Sequence, residues 1–129
     1  MTEIKPGITH TIRKTVLPDD TAIKYGSGLL EVFATPSMIA LMEQTCLEAV
    51  TPMLTEEFST VGIEICVKHL KATPVNASVW CNAELMQVDG SKLLFDVQAF
   101  DNNGLIGTGS HTRFIINKAR FIEKLGLVK

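Results

Sequence analysis

Val32-Phe33-Ala34-Thr35-Pro36-Ser37-Met38-Ile39-Ala40-Leu41-Met42-Glu43-Gln44-Thr45-Cys46 decides the fold. Its apolar spacing predicts one long helix from about Pro36 to Leu54. Thr35 suits the N-cap, and Pro36 the first helical position, where a missing N–H costs nothing. On a 3.6-residue wheel Met38, Ile39, Leu41, Met42, Cys46, Ala49, Val50, Met53 and Leu54 share one broad arc, with Gln44, Glu48 and Thr51 opposite. Glu43 falls at the edge of that arc, a carboxylate half committed to the core. Pro52 should kink or restart the helix, because it cannot donate the i→i−4 bond.

Downstream the period changes from 3.6 to 2. Val61, Ile63, Ile65 and Val67 alternate with Gly62, Glu64, Cys66 and Lys68, which predicts a strand whose inward face reaches His69. Thr73-Pro74-Val75-Asn76 turns the chain into a strand from about Ala77 to Val88. Asp89-Gly90 signals a hairpin into a strand from Lys92 to Phe100. Asn103-Gly104 signals another, into a strand from Leu105 to Asn117 that carries His111 and Arg113 on one face. Upstream, the β-branched run Thr9 to Val16 suits an edge strand, and no clear period marks Ile23 to Leu30. The tail from Lys118 to Leu127 suits a short helix.

The order is strand, long helix, then an antiparallel meander of four strands. It predicts a single α+β domain over residues 1–129, a curved antiparallel sheet wrapped around one long central helix. The outer face and the edges of that sheet would still need cover, so a homodimer is expected.

Composition narrows the partners. A formal net charge of −2 and a pI near 5.9 give no basis for nucleic-acid binding or for an acidic membrane surface. No apolar run reaches the length of a membrane span. The polar start, Met1 to Gly7, lacks the apolar centre of a signal peptide. Cys46, Cys66 and Cys81 form an odd set without Cys-x-x-Cys spacing, which predicts free, buried thiols in a reducing cytoplasm.

Three polar residues stand against the pattern around them: Thr35 at the helix start, Glu43 about two turns on, and His69 on an inward strand face. If they converge, unpaired amides and positive helix-dipole potential would meet a carbonyl oxygen gaining charge. A carboxylate in apolar surroundings would serve as base or nucleophile, and a histidine would donate a proton. Taken singly, each has a plainer reading: a cap, a snorkelling acid, a satisfied histidine. His10, His69 and His111 lack metal-ligand spacing. The glycines from Gly104 to Gly109 lie in a strand pattern, which argues against a dinucleotide loop.

Several blocks together resemble the fluoroacetyl-CoA thioesterase family of hot-dog-fold proteins. They are Val32 to Pro36, Glu43 to Ala49, Gly62 to His69, Ala72-Thr73-Pro74 and Ile106 to Arg113. The resemblance implies the hot-dog fold and a homodimer. It implies a catalytic Thr35, Glu43 and His69, with Gly62 in the active site and Arg113 near the bound acyl group. The substrate it implies is a small acyl-CoA, with no cofactor beyond the coenzyme A of the substrate itself. In the fluoroacetate-specialised member, bulky aromatics form a lid before the threonine. Gly26 and Leu29 stand at those positions here, which argues against fluoroacetyl selectivity and places Leu29 by the acyl pocket.

The leading expectation is hydrolysis of a small acyl-CoA thioester. A non-catalytic acyl-CoA-binding protein is the alternative, although a binder has no need of a pocket carboxylate with a histidine. An enoyl-CoA hydratase ranks last, since no Asp precedes any of the three histidines at Asp-x-x-x-x-His spacing.

Overall fold

The computed structural model describes residues 3–126. An edge strand, β1 (Thr9–Thr15), leads through a short turn of 3-10 helix, Pro18–Asp20, to one helical turn, α1 (Ala22–Tyr25). The long helix, α2, spans Thr35–Val50, and Thr51–Met53 continues it as 3-10 helix. Pro52 thus ends the i→i−4 ladder as expected. Strands β2 (Phe58–His69), β3 (Ser78–Asp89), β4 (Lys92–Asp101) and β5 (Gly104–Asn117) follow, then a short helix, α3 (Lys118–Lys124). Leu127, the expected end of that last helix, lies outside the described residues.

The sheet is antiparallel throughout, in the order β1-β3-β4-β5-β2. The meander therefore holds three strands, not four. β2 pairs with β5 instead of β3, and residues 70–77 cross from one edge of the sheet toward the other. That crossing is pinned beneath the start of α2. Val32 bridges Pro74, and the Phe33 N–H donates to the Thr73 carbonyl at 2.8 Å.

Helix α2 touches all five strands, as only a sheet curled around it allows. Its buried side, Met38, Leu41, Met42, Cys46, Ala49 and Val50, meets alternate residues of β3 and β4 such as Leu85, Phe95 and Val97. Gly107 makes the close approach possible, since a Cβ there would run into Met38 Sδ. Gln44, Glu48 and Thr51 face solvent, and Glu43 is half-buried.

Three expectations need correction. The helix starts one residue early: Ala34 is the N-cap, Thr35 is the first helical residue, and no side chain caps the end. The Thr35 hydroxyl is engaged elsewhere. Second, Ile63 does not face inward but is 55% exposed, because a β-bulge shifts the register between Gly62 and Glu64 and leaves it unpaired. Third, only Cys46 and Cys81 are buried, while Cys66 is exposed on β2. Burial raises both buried thiols, Cys81 to about 11, so neither ionises near neutrality. The outer face of the sheet is mostly polar, with Met86 and Phe114 also partly exposed. Asn82, Glu84, Asp96 and Gln98 are exposed there, and Trp80 stacks on Phe100 beneath the Arg13 guanidinium. The unpaired edge of β2 remains.

Candidate active site

Thr35 and His69 meet where α2 begins and β2 ends. Thr35 Oγ1 lies 2.8 Å from His69 Nδ1. The crossing segment forces the encounter, because its stitches at Phe33 and Pro74 bring the end of β2 under the helix start. The Asp20 carbonyl fixes that start from the other side, accepting from the Ala34 N–H at 2.8 Å and the Ser37 hydroxyl at 2.9 Å. Burial holds the His69 imidazole below its ordinary pKa; the nearby Lys71 backbone opposes part of the shift without closing a hydrogen bond. His69 Nε2 is buried and has no hydrogen-bond partner. The pair lines a hollow of about 480 Å³ with Val32, Phe33 and Leu70, and Lys71 at its rim.

Glu43 lies elsewhere, over Gly62. A Cβ on Gly62 would stand 2.9 Å from Glu43 Oε2, 2.9 Å from His111 Cε1 and 3.4 Å from Arg113 Nη1. The absent side chain is what lets a carboxylate, an imidazole and a guanidinium crowd one point. Glu43, Gly62 and His111 share a small hollow of about 220 Å³.

Arg113 is 6% exposed and forms no ion pair with any carboxylate among the described residues. Thr60 holds it instead: Nε donates to the Thr60 hydroxyl at 2.8 Å and Nη2 to the Thr60 carbonyl at 2.9 Å. Desolvation lowers its pKa, and Cys46 and Glu43 oppose the fall. A guanidinium is basic enough to stay charged despite that fall.

Of the residues singled out in the sequence, two groups therefore form within one chain. Thr35 sits with His69, and Glu43 with Gly62 and Arg113. Eight helical residues separate Thr35 from Glu43, about 12 Å along the axis. From Gly62 to His69 the strand runs about 23 Å. One reacting carbonyl needs its partners within about 3 Å, so the two groups of a single chain do not share one. Leu29 is 92% exposed and lines neither hollow. Thr60 and the Glu64 carbonyl carry no sequence signal: Thr60 reads as an ordinary strand residue, and the Glu64 carbonyl meets His111 just past the register shift after Gly62. Among the described residues no cluster of three or more His, Cys, Asp or Glu is placed to hold a metal.

A sheet curled around a buried helix, with an acid on that helix, defines the chain as a hot-dog thioesterase. A solved structure of a Thermus thermophilus thioesterase superfamily member has this fold, with a TM-score of 0.87 at 26% identity over 97% of this chain and 92% of that one. The chain belongs to the fluoroacetyl-CoA-specific thioesterase family, whose FlK profile matches residues 16–119. It is 41% identical over 95 residues to the fluoroacetyl-CoA thioesterase of Streptantibioticus cattleyicolor, covering 74% of this chain and 68% of that one. A solved structure of the fluoroacetyl-CoA thioesterase FlK superposes with a TM-score of 0.91 at 34% identity, over 98% of both chains. A mutant of FlK has been solved with fluoroacetate and CoA.

Proposed function

We propose that the protein hydrolyses a small acyl-CoA thioester at a site completed by a second copy of the chain. Thr35 and His69 come from one copy, and Glu43, Gly62 and Arg113 from the other. The observation that carries this reading is the Thr35–His69 pair with its unpartnered buried Nε2, set about 12 Å from the only carboxylate on the helix's buried margin. An unsatisfied buried polar atom costs about 1–3 kcal/mol, which a bound reacting group would recover. The edge of β2 supports the pairing, since a strand of 12 residues followed by exposed Leu70 is otherwise an open template.

Glu43 attacks the thioester carbonyl or activates the water that does. The first-turn amides of α2, at Thr35 and Ser37, with the amide near Gly62, stabilise the oxyanion. The Thr35 hydroxyl donates to Nδ1, which puts the imidazole proton on Nε2. When the C–S bond breaks, the Nε2–H bonds to the departing CoA sulfur, which leaves as thiolate and takes the proton released when water attacks the carbonyl. Arg113 orients the acyl end. A hollow of about 220 Å³ at Glu43 suits a short acyl chain. The free thiols fit a cytoplasmic setting.

Thiol release over a panel of short acyl-CoAs tests the activity, and saturable binding without release would point to the non-catalytic alternative. Mixing Thr35→Ala with Glu43→Ala chains tests the shared site. Each alone should be inactive. Mixed dimers should recover up to about a quarter of wild-type activity, because half the dimers are mixed and one site in each is whole. No recovery with dimers intact would overturn the shared site. A covalent acyl-Glu43 species in the mass spectrum would distinguish attack from water activation.

A further inference from the structure

Resting on that reading of Arg113, we propose that His111 is the positioning residue of the active site. Its imidazole, held as the neutral Nδ1–H tautomer, aims the Arg113 guanidinium at the acyl end. The chemistry proposed above leaves His111 without a task, yet it is 1% exposed at the point where Glu43, Gly62 and Arg113 converge.

The hydrogen bonds fix the tautomer. His111 Nδ1 lies 2.7 Å from the Glu64 carbonyl, which only accepts, so the ring proton is on Nδ1. Nε2 then carries a lone pair, and Arg113 Nη1 donates to it at 3.1 Å. A guanidinium cannot accept, so the reverse arrangement is closed. The bulge that leaves Ile63 unpaired lets the Glu64 carbonyl turn onto the ring. Backbone, imidazole and guanidinium thus form one directed chain from β2 to β5. Thr60 fixes the far side of the guanidinium through Nε and Nη2. Without His111, Nη1 loses its only acceptor among the described residues, and the guanidinium is free to pivot about Thr60.

The arrangement also confers pH dependence. A proton on Nε2 would point at the Arg113 N–H, replacing an attraction with two opposed donors. The charged groups facing the ring are Arg113 on its own strand, which disfavours protonation, and Glu43 on α2, which favours it. Its paired neighbours on the flanking strands, Ile65 and Phe95, are uncharged. Burial outweighs Glu43 and keeps the ring neutral at pH 7.

Two variants and one spectrum test the role. His111→Asn can keep the bond to Glu64 but offers nothing to Nη1, whereas His111→Gln carries an acceptor oxygen near the Nε2 position and does not titrate. In His111→Asn, kcat should fall by about tenfold or more while KM for the acyl-CoA stays within about threefold. His111→Gln should stay within about threefold of wild type at pH 8, and should lose less activity than wild type between pH 7 and pH 5.5. Wild-type kcat in His111→Asn, an equal loss in both variants, or an unshifted acid limb in His111→Gln would overturn the role. The ring ¹⁵N spectrum of the full chain needs no turnover. A proton on Nδ1 supports the assignment, and one on Nε2 at pH 7 overturns it. Absence of thiol release from the wild type would instead sink the hydrolase reading, and the spectrum would still decide the tautomer.

Discussion

The Thr73 hydroxyl donates to the Asp101 carboxylate at 2.8 Å, with both residues buried, and this bond holds the crossing from β2 to β3 against the end of β4. The second carboxylate oxygen accepts the Asn103 N–H at 2.8 Å, so the charge is satisfied from two directions. The neighbouring Thr73 carbonyl in turn accepts from Phe33, two residues before Thr35. The position of His69 beside Thr35 thus depends on a bond far from any substrate.

Thr73→Val should therefore lose both stability and activity. It keeps the side-chain shape but leaves a buried carboxylate oxygen short of a donor, which costs about 1–3 kcal/mol. Urea denaturation should show that loss. Thiol release measured well below the unfolding midpoint should fall further than the unfolded fraction explains. Activity tracking the folded fraction alone would show that the crossing does not set His69.

Gly62→Ala should reduce kcat by about tenfold or more with little loss of stability. The added methyl meets Glu43 Oε2 and His111 Cε1 at 2.9 Å, closer than a carbon tolerates, so the acid must shift. Gly62 is exposed and its backbone does not require positive φ, so the strand itself accepts alanine. Steady-state kinetics beside a melting curve separates the two effects.

Stability should fall as pH drops below 6.5. Burial lowers the pKa of both His69 and His111 from a reference of 6.5. Between the lowered folded values and 6.5 the unfolded chain binds more protons than the folded one, so unfolding becomes easier as pH falls. Above 6.5 both states are neutral and these residues contribute no slope. Urea midpoints at pH 8, 7, 6 and 5.5 read the effect, and His111→Gln should flatten the slope in that window.

Met38 and Gly107 should be coupled. Gly107→Ala drives a methyl into Met38 Sδ and should cost about 1–3 kcal/mol by overpacking. Met38→Ala should cost about 2–5 kcal/mol through the cavity it leaves. The double variant should be more stable than the sum predicts, since each change relieves the other, and a double-mutant cycle measures the difference.

Much of this was legible in the sequence because it rests on local periodicity. The 3.6-residue spacing from Met38 to Val50 set the helix and put Glu43 at its margin. The alternation from Val61 to Val67 set a strand, and turn residues placed the hairpins. Resemblance added the hot-dog fold and the pairing of Thr35, Glu43 and His69. Three things needed the tertiary structure. The partner of β2 is β5, because pairing across the sheet depends on where a crossing segment runs, and hydrophobic period carries no such information. The bulge at Ile63 breaks the alternation of β2, so that Gly62 before it and Val67 beyond it both face the helix side. Thr35 bonds His69 instead of capping its helix, and His111 becomes part of the site, because both depend on residues 34 and 47 positions away meeting in space. Sequence spacing determined which residues lie at the margin of the core; only the packed sheet decided which of them touch.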